Sequence, residues 1–267
     1  MFLAAVEDAG MSEALVLVAQ EGAVRTLTLN RPKALNSFTT AMHEALAAEL
    51  QAAEADASVR CVVLTGAGRA FCTGANLQGR NNQKPGKSNA GASLETGFHP
   101  FLRRIRKLHC PLVTAVNGPA AGAGMSFALM GDMILCARSS YFLQAFRRIG
   151  LVPDCGSTWL LPRMIGKARS VELSLMGERL PAEKALEWGL VNRVHDDADL
   201  IAEAMKLAHD LANGPTIALS LIRKLYWDSS ENSFEQQLNL EFESQRIAGS
   251  ARRSMRSRRS EPRCVAS

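Results

Sequence analysis

GAGRAFCTGANL at Gly66–Leu77 and NGPAAGAGMSFA at Asn117–Ala128 decide the reading of this chain. Each follows a short apolar run with the character of a strand, CVVLT at 61–65 and PLVTAV at 111–116, and the second leads into a segment able to start a helix. Glycine and alanine let a ligand approach the backbone closely, and successive N–H groups can cradle negative charge. Two such stretches can each aim one N–H at a single carbonyl oxygen, which is an oxyanion hole built from backbone. The competing reading is that the glycines make tight turns and the alanines let helices pack closely. The residues alone leave both open.

Working outward, 267 residues at 47% hydrophobic content can bury one substantial core. No apolar run approaches the roughly 18 residues of a membrane span. The opening MFLAAVEDAGMSEALVLV has no basic n-region, and Glu7 and Asp8 interrupt its apolar run, so no signal peptide is expected and residues 1–13 read as an N-terminal extension. The six cysteines form no CxxC pair and read as free thiols, which places the protein in the cytoplasm. The five histidines show no ligand spacing, so no metal site is expected.

The net charge of +5 is concentrated at one end. Arginines 252, 253, 256, 258, 259 and 263 face only Glu261 in the last stretch, and residues 1–248 balance to zero. No aromatic residue accompanies those arginines for base stacking, so neither a nucleic-acid nor a membrane partner is expected. Residues 249–267, without apolar periodicity, read as a disordered basic tail.

Between these landmarks, 14–18 and 24–29 read as strands, and Arg31 before Pro32 ends the second. Met42, Leu46 and Leu50 predict a helix over 39–53, with Ser37 or Thr39 as its cap. Residues 78–96 are polar and glycine-rich, a loop that is either a flap over a ligand or an inert surface excursion. A basic helix over 98–108, a strand over 132–136 and a helix from Ser157 follow. Leu186 is expected on a buried helix face. Helices are predicted at 198–213, 215–228 and 232–247, the last with a stripe of Phe234, Leu238 and Phe242 for its own core or another subunit, the core preferred. Strand–helix–strand alternation predicts an α/β fold with parallel pairing. The Rossmann glycine order, the P-loop and the G-x-S-x-G elbow are all missing from the sequence.

Asn30-Arg31-Pro32, Ala34-Leu35-Asn36, the GxGxAFCxGAxL stretch and NGPAAGAG occur in an order and spacing that resembles the enoyl-CoA hydratase/isomerase (crotonase) superfamily over about residues 14–248. The resemblance implies an α/β fold with a spiral core of ββα units over 14–195 and a helical C-terminal trimerisation region over 196–248. It implies a homotrimer or dimer of trimers. It also implies an acyl-CoA thioester substrate, with coenzyme A as part of that substrate and no catalytic cofactor besides. The backbone N–H groups of Ala75 and Ala123 would hold a thioester enolate oxygen; a donor of this kind is worth about 2.7–4 kcal/mol. Lys33, Ala34, Leu35 and Asn36, with Thr73, Gly74, Ala75, Asn76 and Leu77, match CoA-embracing positions.

Where hydratases of the family carry two glutamates, this sequence has Ser126 and Phe146, neither suited to acid–base work. The run IGLVPDCGSTWLLPR at 149–163 instead resembles the isomerase branch, notably ring-1,2-epoxyphenylacetyl-CoA isomerases, and the residue matching their single acid is Asp154. On its own, an aspartate before a helix is equally a turn or cap residue. Ser126, Phe142, Phe146 and Trp159 are candidates for the acyl pocket. A hydratase-like or otherwise divergent crotonase enzyme and a non-catalytic acyl-CoA binder are the alternatives. Cys72 and Cys155 as nucleophiles are a third reading, with no partner histidine placed by sequence.

Overall fold

The computed structural model describes residues 14–76, 91 and 94–260, the last nine of these by backbone alone. The N-terminal extension, Leu77 and most of the 78–96 loop lie outside the described residues. A six-stranded sheet is ordered β1-β2-β3-β4-β6-β9, from β1 (Val16–Glu21), β2 (Val24–Leu29), β3 (Cys61–Gly66), β4 (Leu112–Val116), β6 (Met133–Ala137) and β9 (Arg193–His195). Within this sheet only the β1–β2 pair is antiparallel; β2, β3, β4, β6 and β9 are parallel neighbours, with Val63 opposite Val113 at the centre. A small second sheet runs β5-β7-β8, from β5 (Ala120–Ala121), β7 (Tyr141–Leu143) and β8 (Arg179–Pro181).

Side chains alternate across the main sheet, as a pleated strand requires. Val62 and Leu64 face a core filled by Met42, Leu46 and Leu50 of α1 (Thr40–Ala55) and by Phe101 and Ile105 of α2 (His99–Lys107). Cys61 and Val63 face the opposite way, onto Leu200, Ala204, Ala208 and Ala212 of α7 (Leu200–Asn213). Those alanines recur every fourth residue and bring the helix close to the sheet. Of the two candidate caps, Ser37 and Thr39, it is Thr39 that caps α1, accepting from the Met42 N–H at 3.2 Å. With strands buried on both faces, the parallel sheet delivers the C-terminal ends of β3 and β4, and so both Gly/Ala stretches, to one edge.

The remaining helices are α3 (Ala123–Ala128), α4 (Ser157–Ile165), α5 (Lys167–Met176), α6 (Ala182–Glu187), α8 (Thr216–Ser229) and α9 (Phe234–Ser260). The C-terminal helices are latched to the core by Arg223, which is 6% exposed. Its guanidinium pairs with Asp132 and donates to the carbonyls of Ile105 at 2.7 Å, Arg106 at 3.1 Å and Leu108 at 3.0 Å, satisfying the free end of α2. Beside it Trp159 of α4 stacks on Trp227 of α8 at 5.7 Å, with Arg163 and Arg106 over the outer faces.

Four expectations are corrected. The expected disordered tail is helical as far as Ser260, because Ala, Met and Arg favour a helix and no proline interrupts before Pro262. The end of the expected 78–96 loop is a wide helical turn, Leu94–Phe98. Leu186 lies 39% exposed, since Ala182 and Ala185 take the buried face of α6. The preference for core packing of the α9 stripe also fails: Phe234, Leu238 and Phe242 are exposed within the chain. No described helix is long and apolar enough to cross a membrane.

Removing Arg223 leaves the half-buried Asp132 carboxylate without its cation and strips three carbonyls of their donor. Arg223→Ala is expected to cost about 3–5 kcal/mol in urea unfolding. A loss below about 1 kcal/mol would show that the latch is not structural.

Candidate active site

Cys72 to Ala75 run alongside Ala120 to Gly124 with almost nothing between the two backbones. Cys72 N–H donates to the Pro119 carbonyl at 3.2 Å, and Ala121 N–H donates to the Cys72 carbonyl at 2.9 Å. A Cβ on Gly124 would lie 2.1 Å from the Cys72 carbonyl oxygen, and one on Gly74 would lie 2.9 Å from the Ala121 carbonyl oxygen and 3.2 Å from the Ala123 nitrogen. Glycine at these two places is therefore a steric requirement. Asn36, fully buried, holds the first stretch from below: its amide donates to the carbonyls of Ala67 at 2.9 Å and Ala70 at 2.7 Å while its oxygen accepts from Arg31 N–H at 2.8 Å.

The N–H of Ala75 is oriented by a short parallel bridge. Gly74 C=O and Asn76 N–H both bond to Phe38, each at 2.8 Å, so the N–H of the residue between them points the other way. Ala123 opens α3, where the first N–H groups have no intrahelical acceptor. Gly122, at φ 53 and ψ −128, turns the chain into that helix. Among the described residues, neither N–H donates to a protein carbonyl.

Both alanines line a cavity of about 290 Å³ with Thr73, Gly74, Gly122, Phe146 and Asp154. Its other walls are Leu94, Phe98, Ala145 and the partly exposed Ile149, Leu151 and Val152. Asp154 precedes α4 in a turn in which Cys155 (φ 53) and Gly156 (φ 81) are both left-handed. It is the only titratable side chain among the described residues of the cavity wall. A second cavity of about 650 Å³ lies between α1 and α2, and Ala75 and Phe98 belong to both.

Of the residues predicted for the acyl pocket, only Phe146 lines this cavity. Phe142 is completely buried in β7, where strand alternation turns it into the core. Trp159 faces α8 and its Trp227 partner on the far side of α4. Ser126 is sealed beneath the site, its hydroxyl 3.2 Å from the Asp154 carbonyl. Lys33, Ala34 and Leu35 form a tight turn with Leu35 at φ 50, and the Leu35 carbonyl accepts from Thr73 N–H at 3.1 Å. Burial lifts the Cys72 thiol to about 12, and burial followed by the Asp154 carboxylate lifts Cys155 higher still. Both thiols stay protonated, which removes the nucleophile reading. Among the described residues, no cluster of three or more His, Cys, Asp or Glu could hold a metal ion.

His43 borders the second cavity within a cage of Phe38, Phe98, Phe101 and Phe127 at centroid distances of 5.6, 4.5, 5.0 and 5.9 Å. A histidine amid the polar cap region of α1 gives no local signal that four phenylalanines converge on it.

The enoyl-CoA hydratase/isomerase family profile matches residues 19–259. A 1,2-epoxyphenylacetyl-CoA isomerase of Escherichia coli K12 is 48% identical over 230 residues, covering 86% of this chain and 88% of that protein. A carnitinyl-CoA dehydratase of Proteus mirabilis is 33% identical, covering 85% of each chain. Among solved structures, an enoyl-CoA hydratase from Polaromonas sp. JS666 superposes with a TM-score of 0.81 at 34% identity, covering 86% of this chain and 89% of that one.

Gly124→Ala must drive α3 away from Cys72 and part the two N–H groups, so turnover of a CoA thioester is expected to fall by about 100-fold or more; unchanged turnover would show that the close approach is dispensable. Burial lowers the His43 imidazole from 6.5 to about 4, so the folded protein keeps it neutral where the unfolded chain takes up a proton. Its contribution is complete above pH 6.5 and is lost as pH falls toward 4, about 3 kcal/mol in all. Urea unfolding at both ends of that range should show His43→Phe losing less stability on acidification than the unaltered protein.

Proposed function

The chain belongs to the enoyl-CoA hydratase/isomerase (crotonase) family, and from that premise we propose that it is an acyl-CoA isomerase in which Asp154 is the acid–base residue and the N–H groups of Ala75 and Ala123 form the oxyanion hole. The thioester carbonyl oxygen sits between the two N–H donors. The Asp154 carboxylate removes a proton from the carbon α to the thioester, and the electron pair moves onto that oxygen as an enolate. Two fixed donors in an apolar cavity stabilise the enolate more than the neutral carbonyl, which is what lowers the barrier. Asp154 then returns its proton to another carbon of the acyl group, and the double bond has shifted with no net change in atoms. With a ring epoxide next to the thioester, the same enolate would drive the rearrangement.

The observation that carries this reading is the inventory of acids. Asp154 is the one carboxylate among the described residues of the wall, and residues 77–90, 92 and 93 contain no Asp or Glu at all. Hydration in the family manner needs two carboxylates to activate and deliver water. Similarity to the Escherichia coli isomerase points the same way. Phe98, Phe146, Leu94 and the apolar rim of Ile149, Leu151 and Val152 would receive the acyl group. CoA would run along Lys33–Asn36 and Thr73–Leu77. Exposed Phe234, Leu238 and Phe242 on α9, with Ile222 and Tyr226 on α8, support assembly into a homotrimer or dimer of trimers, and the free buried thiols fit a cytoplasmic enzyme.

Asp154→Asn tests the assignment. Turnover and exchange of the substrate α-proton in deuterated water should both fall at least about 1,000-fold, while affinity for the thioester stays within a few-fold. Undiminished turnover would remove Asp154 from the mechanism. Absence of exchange in the unaltered protein across 3-enoyl, 2-enoyl and phenylacetyl-epoxide thioesters would favour a binding protein.

A further inference from the structure

We infer that Ser126, at the place where hydratases of the family carry a glutamate, is a positioning residue that fixes the Asp154 turn relative to the oxyanion hole; this rests on the reading of Asp154 as the base. Ser126 is completely buried and lies on α3, whose first residue is Ala123. A serine inside a helix ordinarily donates back to the carbonyl four residues earlier. Here that acceptor, Gly122, is 3.5 Å away, and the Asp154 carbonyl is nearer at 3.2 Å. The shorter of the two contacts reaches across to the other element.

The Asp154 carbonyl is an anchored point. It also accepts from Ser157 N–H at 3.1 Å and from the Ser157 hydroxyl at 2.9 Å. Those two bonds are local and close the turn on itself. Ser126 supplies the tie from that turn to α3. The need for a tie is visible in the backbone, because Cys155 holds φ 53 with a side chain and Gly156 follows at φ 81. Left-handed backbone at a non-glycine residue persists only where its surroundings hold it. A single helical turn of α3 thus carries the Ala123 N–H at one end and the brace for the base at the other. A longer side chain at 126 would have to displace that brace. Ser126 does not border the cavity, so its effect must appear in the rate of proton transfer and leave thioester binding alone.

The test compares the full-length protein with Ser126→Ala, Ser126→Thr and Asp154→Asn, using 3-hexenoyl-CoA. Each variant is first checked for an unaltered thermal unfolding midpoint. Ser126→Ala is expected to lower kcat and α-proton exchange by about tenfold, with KM within about twofold, and to speed amide exchange in the segment 151–157. Ser126→Thr keeps the hydroxyl and should recover kcat to within about threefold of the unaltered protein. Wild-type kcat and amide exchange in Ser126→Ala, or an equal loss in Ser126→Thr, would overturn the inference. Full turnover by Asp154→Asn overturns the base and the positioning together. Full turnover by Ser126→Ala beside an inactive Asp154→Asn overturns the positioning alone.

Discussion

The contact on which the rest depends is between two pieces of backbone. Cys72–Ala75 and Ala120–Gly124 touch without side chains between them, because Gly74 and Gly124 leave no Cβ in the gap. The parallel pairing of β3 with β4 brings the two segments to one edge of the sheet. Asn36 secures the first stretch, while Gly122 bends the second into α3. Each constraint is modest. Together they bring Ala75 and Ala123 to the wall of one small cavity through backbone contacts and one buried side-chain amide, the kind of fixed arrangement that preorganised stabilisation of developing charge requires.

Charge around that cavity is sparse. Its described wall is apolar apart from a threonine, the backbone and Asp154. The neighbouring thiols are held protonated, and His43 is kept neutral by its phenylalanine cage. Low polarity strengthens whatever electrostatic interaction remains, and under the proposed mechanism that leaves the two N–H groups and the single carboxylate. The buried Arg223–Asp132 pair does different work, tying the C-terminal helices to the end of α2 and adjoining the Trp159–Trp227 stack.

Much of this was legible locally. The apolar runs at 61–65 and 111–116 are buried on both faces, as central parallel strands are, and Thr39, one of the two candidate caps, caps α1. Motif order survives in a linear sequence, and the paired Gly/Ala stretches and Asp154 that it singles out do line one cavity. What could not be found depends on the phase of an element or on a distant partner. Phe142 and Trp159 neighbour the site in sequence, yet strand alternation buries one and helical rotation turns the other toward Trp227. The four phenylalanines around His43 come from different segments. Motif alignment puts Ser126 at a glutamate position and among the acyl-pocket candidates, whereas its contact with the Asp154 carbonyl emerges only once α3 and the 154–156 turn are adjacent. The apolar stripe on α9 is left exposed by the described residues, so periodicity alone could not say what would cover it.

The most direct measurement is a crystal structure of the protein with an acyl-CoA thioester bound. The account predicts the thioester oxygen about 2.7–3.1 Å from both the Ala75 and Ala123 nitrogens, with the α-carbon facing the Asp154 carboxylate. A thioester oxygen bound by other groups, or an α-carbon turned away from Asp154, would contradict it.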